Sequence, residues 1–232
     1  SHGYDTNRTE VLSLASRLRD YGYNIFVYNL RGHGLSGQTV SSLGIKEAED
    51  LQKAVEKLVQ RPEVDFNRIG IYGSSLGAFV ALKASAGNPN MRVLVLDSVF
   101  PNIETFISMK VEDIVGFRTS LLSFFVRMLY RLYFRAPTEL VSAEATPEVY
   151  TGKSILFITG KDKASASLAK ETRRLYTNFK CRKEILNLAN SRESLLFGEE
   201  KHRYDQFVLD FFRQELPLIE ESVKIDLGKT PH

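Results

Sequence analysis

The chain has no tryptophan and a single cysteine, Cys181, in 232 residues. One thiol excludes an internal disulfide, and with no Cys-x-x-Cys or metal spacing around it Cys181 reads as structural. The 4 histidines, His2, His33, His202 and His232, are scattered, so no metal site is expected. No run reaches the roughly 18 apolar residues of a membrane span, and no signal peptide is visible. The net charge is only +3, with the basic residues spread rather than blocked, which argues against a nucleic-acid partner. Gly32-x-Gly34 lacks the rest of a dinucleotide fingerprint, and no cofactor is expected. The sequence sets no compartment. The cytoplasm is the default. The first residues read as the middle of a fold, so an upstream signal or membrane anchor is the alternative.

What is present suits one domain with a substantial core: 43% hydrophobic and 25% charged residues. Short apolar runs read as strands covered on both faces: Ile25–Leu30, Ile69–Tyr72, Val93–Leu96 and Ile155–Ile158, with Glu184–Leu188 weaker. Helical periodicity fills the gaps over Arg8–Tyr21, Ile45–Gln60, Leu76–Ala86, Leu168–Thr177 and Arg203–Gln214. The alternation implies an α/β fold, a mainly parallel sheet with helices on both faces. Residues 101–151 break the rhythm with helical pattern and no strand, as a cap inserted between core segments 1–100 and 152–215. Residues 216–232 read as a loosely held polar tail.

Gly73-Ser74-Ser75-Leu76-Gly77 matches G-x-S-x-G between a predicted strand and a predicted helix. A serine on so sharp a turn needs small flanking residues, and its hydroxyl is pushed out above the sheet edge. Ser74 is the rival hydroxyl but lacks the flanking spacing. The N–H groups of the following helix can support an oxyanion.

With these residues the chain resembles the α/β-hydrolase superfamily, in particular its bacterial lipase/esterase-like and peptidase-like branches. Ser1-His2-Gly3-Tyr4 is similar to the His-Gly loop that supplies the second oxyanion donor, here Tyr4 N–H beside Leu76 N–H. Asn29-Leu30-Arg31-Gly32-His33-Gly34-Leu35-Ser36 resembles the family's D-x-R-G-H-G-x-S segment, with Asn29 replacing the acid. Asp97-Ser98-Val99-Phe100 and Ile158-Thr159-Gly160-Lys161-Asp162 resemble two further strand ends. The resemblance implies an α/β-hydrolase fold with Ser75 as nucleophile and Asp162 as acid, Asp97 being a substitute. It also implies structural roles for His33 and for His2, which braces the oxyanion loop.

Two departures stand out. The slot where the family carries its histidine falls on Glu193, and the histidine left to complete the site is His202, late, at the start of the last helix. A serine without a base is a poor nucleophile. The chain also begins where the family's third core strand ends, which leaves a gap in the expected sheet. Within the cap, Leu121, Leu122, Phe125, Met128, Leu129 and Leu132 form an apolar face expected to pack over the site, with Arg127, Arg131 and Arg135 in solvent. That helix could also meet a membrane surface. Two functions follow: a serine hydrolase acting on a small ester, thioester or amide substrate, or an inactive relative that binds a ligand or a protein partner.

Overall fold

The computed structural model describes residues 1–4, 6–37, 39–117, 119–135, 147–161, 166–189 and 196–218. Asp162 and Glu193 lie outside the described residues, as do His232 and all of the 216–232 tail beyond residue 218.

The described sheet is parallel, with β1 (Ile69–Ser74), β2 (Met91–Asp97), β3 (Ser154–Gly160) and β4 (Arg182–Leu188) in the order β1-β2-β3-β4. Side chains alternate across the pleat. Val93, Val95, Leu156 and Ile158 face α1 (Leu12–Asp20) and α7 (Gly198–Glu215), meeting Leu14, Leu18, Tyr204 and Val208. Leu94, Leu96, Ile155 and Phe157 face the opposite way. They share a core with Phe79 of α3 (Leu76–Ser85) and Leu175 of α6 (Ala166–Asn178), and α2 (Ile45–Leu58), with Leu51 and Val55, packs on α3. Helices therefore cover both faces, and apolar strands buried on both sides are the result. Every residue of α3 except Lys83 is buried, which makes it the central helix of one layer.

The strand expected over Ile25–Leu30 does not form. The segment lies in no helix or strand, and Phe26 is 55% exposed. Its composition suits a strand, but a strand also needs a hydrogen-bonded neighbour. A groove of about 160 Å³ separates it from β1, lined by Leu14, Leu18, Ile25, Gly70, Phe212 and Leu216 among others. Ser1 bridges the groove end: its nitrogen donates to Tyr72 O (2.7 Å) and its carbonyl accepts from Ser74 N–H (3.1 Å). That is one rung of a parallel ladder.

Helices α4 (Ile103–Val115) and α5 (Ser120–Phe134) fall between β2 and β3. The apolar face predicted for α5 does not pack. Leu121 is 70% and Leu132 69% exposed, and of the helix only Ser123 and Tyr130 are buried. Tyr130 anchors it by donating from its hydroxyl to Ser42 O (2.7 Å). Arg127 and Arg131 are not simply solvated; both pair with Glu104 of α4 (3.8 and 2.9 Å). Leu216, expected in a loose tail, is buried against Phe212 and accepts a hydrogen bond from the Tyr23 hydroxyl (3.0 Å).

Candidate active site

Ser75 sits between β1 and α3 with φ 49° and ψ −111°, a left-handed backbone that only a few non-glycine residues adopt here. Its N–H donates to Asp97 O on the neighbouring strand (2.8 Å), which ties the turn to the sheet. The flanking glycines are required by space. A Cβ on Gly73 would lie 2.3 Å from Gly77 O, and one on Gly77 would lie 2.5 Å from Ser1 O and 2.6 Å from His2 O. Strand, helix and N-terminal loop thus converge at the elbow with only backbone between them.

The N–H groups of Leu76 and Gly77, in the first turn of α3, have no partner inside their helix. They carry the positive end of its dipole toward the Ser75 side. Across the turn, Gly3 comes so close that a Cβ built on it would sit 3.6 Å from Ser75 Cβ. Tyr4 follows, its ring edge-on to Phe106 (5.5 Å) and His33 (5.6 Å), with Lys110 Nζ 5.6 Å from its centroid. The structure therefore brings Ser75, Leu76, Gly3 and the Tyr4 segment together. They frame a small site with one aromatic wall.

The histidines do different work. His2 is fully buried; its Nδ1 lies 2.8 Å from Gly3 O and its Nε2 accepts from Leu30 N–H (2.9 Å). These partners assign the proton to Nδ1. Burial pushes the imidazole below its ordinary pKa. Both ring nitrogens are committed to the backbone, so His2 braces the loop and has no lone pair left for Ser75. His33 lies 2.9 Å through Nδ1 from Arg31 O, with its ring edge-on to His2 and Tyr4. His202 is exposed on the first turns of α7, whereas Tyr204 and Asp205 on the same helix are buried. Among the described residues no imidazole is hydrogen-bonded to the Ser75 hydroxyl.

Asp97, the substitute acid, is 2% exposed and is held by other groups. It accepts from the Tyr204 hydroxyl (2.8 Å) and the Ser98 hydroxyl (2.9 Å). Because Tyr204 spends its proton on Asp97, the 2.7 Å contact between the hydroxyls of Tyr72 and Tyr204 has Tyr72 as donor. This chain of phenols beneath the elbow was not foreseen in the sequence: its members lie on β1, β2 and α7, far apart along the chain. Glu10 was also missed, although its carboxylate accepts the Gly3 N–H (2.7 Å). Among the described residues no group of His, Cys, Asp and Glu could hold a metal, and no helix is long and apolar enough to cross a membrane. Burial pushes the Cys181 thiol up, away from the thiolate.

The family model described as "Serine aminopeptidase, S33" matches residues 1–185. The uncharacterized protein YqkD of Bacillus subtilis is 24% identical over 218 residues, covering 90% of this chain and 68% of YqkD. Other curated relatives match over only 26 to 37% of their own length. Among solved structures, the esterase Pf2001 of Pyrococcus furiosus aligns with a TM-score of 0.69 at 21% identity, covering 92% of this chain and 80% of that one. DcsB in complex with its substrate analogue aligns with a TM-score of 0.69 at 16% identity, covering 92% and 88%. At these identities the structural matches establish the fold.

Proposed function

The chain belongs to the serine aminopeptidase S33 family of α/β hydrolases, and from that premise we propose that it is an acyl hydrolase with Ser75 as nucleophile. The observation that carries this is the left-handed Ser75 at the N-terminus of α3, with Gly3 packed against its side chain. Holding a serine in such a backbone costs about 1–3 kcal/mol, which a merely structural turn has no need to spend.

In the proposed step the Ser75 hydroxyl attacks the carbonyl carbon of a small ester, thioester or amide. A C–O bond forms, and the electron pair of the C=O moves to oxygen. The N–H of Leu76 and that of Tyr4 face the resulting oxyanion, where preorganised donors are each worth about 10²–10³ in rate. On collapse the C=O re-forms, the bond to the leaving group breaks, and the acceptor of the Ser75 proton hands it to the departing alcohol, thiol or amine; water then adds to the acyl carbon, the bond to Ser75 breaks, and the hydroxyl regains a proton from that water. Tyr4 and Phe106 suit an apolar acyl chain. The hydroxyl proton needs an acceptor. His202 with Asp162 remains the assignment, and Glu193 occupies the slot where the family carries histidine.

A second reading rests on one observation: His2 and His33, the imidazoles nearest the loop, contact backbone groups rather than Ser75. In that reading the elbow survives as a ligand- or protein-binding platform. We further propose that the exposed apolar side chains of α5 meet an apolar or membrane surface, since that helix carries arginines and no acid.

Labelling with a fluorophosphonate probe separates the readings. The hydrolase expectation is covalent labelling that vanishes in Ser75→Ala. A folded wild-type protein that stays unlabelled supports the binding platform.

A further inference from the structure

The loop that faces Ser75 is held by a carboxylate from the helical turn that follows it. Glu10 Oε2 accepts the Gly3 N–H (2.7 Å) and the Thr6 hydroxyl (2.8 Å). The same hydroxyl lies 3.0 Å from Gly3 O, and His2 Nδ1 lies 2.8 Å from that carbonyl. Both polar groups of Gly3 are thereby fixed: the N–H by Glu10 and the C=O by the His2 Nδ1 proton, since the one proton of the Thr6 hydroxyl goes to the carboxylate. A trans peptide is planar, with its C=O and N–H on opposite sides. Fixing Gly3 C=O toward His2 therefore sends the Tyr4 N–H the other way. The carboxylate and Ser75 flank the same glycine: a Cβ built on Gly3 would be 3.5 and 3.6 Å from the two Glu10 oxygens and 3.6 Å from Ser75 Cβ.

We propose that Glu10 is a positioning residue for the Gly3–Tyr4 peptide, holding it in the orientation in which Tyr4 N–H can meet an oxyanion formed at Ser75. The role rests on the hydrolase reading above. Glu10 touches neither the reacting carbonyl nor the hydroxyl; it acts through Gly3. Charge-assisted hydrogen bonds are stronger than neutral ones, which suits a carboxylate as the clamp. A negative charge this near a developing oxyanion also opposes it, so the geometry of the acceptor, not its charge, is what benefits the reaction. That sets Glu10 apart from a general base, whose charge is indispensable.

The test compares wild type with Glu10→Gln, which keeps an acceptor oxygen, and Glu10→Ala, which does not. Each is followed by fluorophosphonate labelling rate, by kcat and KM for p-nitrophenyl butyrate, and by hydrogen exchange of the Gly3 amide. In Glu10→Ala the Gly3 amide should exchange about tenfold faster or more, and kcat and labelling should fall about tenfold or more with KM nearly unchanged. Glu10→Gln should stay within about threefold of wild type in all three. Wild-type rates in Glu10→Ala, or unchanged Gly3 exchange, overturn the positioning role while leaving Ser75 as nucleophile. Equal losses in Gln and Ala variants also overturn it, in favour of a role for the charge. A wild type that neither labels nor turns over overturns the hydrolase reading, and the positioning role with it.

Discussion

Gly77 has no room for a side chain, because the atoms that would meet its Cβ at 2.5 and 2.6 Å are the carbonyls of Ser1 and His2. Backbone cannot swing aside as a side chain can. Gly77→Ala should therefore lose about 1–3 kcal/mol of stability, read by urea unfolding, and should displace the loop that carries Gly3. His2 gives a prediction with a sign. Its folded pKa is lowered by burial, and protonating Nε2 would break the bond from Leu30 N–H. Above the unfolded value of 6.5 both states are neutral and nothing is lost. Below it the unfolded chain takes up a proton that the folded one resists, so stability falls as pH drops, by up to about 1.4 kcal/mol per unit. His2→Asn should be less stable than wild type at pH near 7.5, and the gap should narrow near pH 5.5, as followed by thermal melts. The elbow was legible from sequence because its demands are local: small, x, Ser, x, small, between a strand and a helix. Glu10 was not, because an acid seven residues from a glycine has no meaning until a turn folds it back.

At the scale of elements, α5 shows the limit of periodicity. Its apolar stripe is real, but a stripe does not say which neighbour covers it. The neighbour is met instead by Tyr130, whose hydroxyl holds Ser42 O. Ser42 in turn belongs to a loop fixed by Glu47, a fully buried carboxylate that accepts from Ser41 Oγ, Ser42 N–H and Gly44 N–H at 2.8 to 2.9 Å. Tyr130→Phe should cost about 1–3 kcal/mol by leaving that buried carbonyl without its donor. Leu132→Ala on the exposed side should change stability by no more than about 0.5 kcal/mol. Equal effects in chemical denaturation would show that the helix packs on its other face.

Across the whole molecule, polar chains fasten the layer of α1 and α7 to the sheet. The hydroxyls of Tyr72 and Tyr204 and the Asp97 carboxylate join β1, α7 and β2, and Arg17 of α1 reaches Asp205 of α7 at 3.2 Å. Tyr204→Phe removes the donor to a carboxylate that is 2% exposed, and about 1–3 kcal/mol should be lost. A stability unchanged in that variant would mean that the Tyr204 hydroxyl is not needed to satisfy Asp97. The sheet edge belongs to this scale as well. Ile25–Leu30 carries strand composition and lies outside any strand, because pairing is a property of two segments.

The sequence by itself determined the fold class, the parallel β/α alternation and the serine elbow, since each is written in residues within a few positions of one another. Only the tertiary structure decided which groups serve those residues: that His2 braces its loop through Gly3 O and Leu30 N–H, that Asp97 accepts from Tyr204 and Ser98, and that Glu10 clamps Gly3. The physical reason is range. Backbone strain and helix periodicity act along the chain, whereas hydrogen bonds and burial depend on what folding brings from elsewhere.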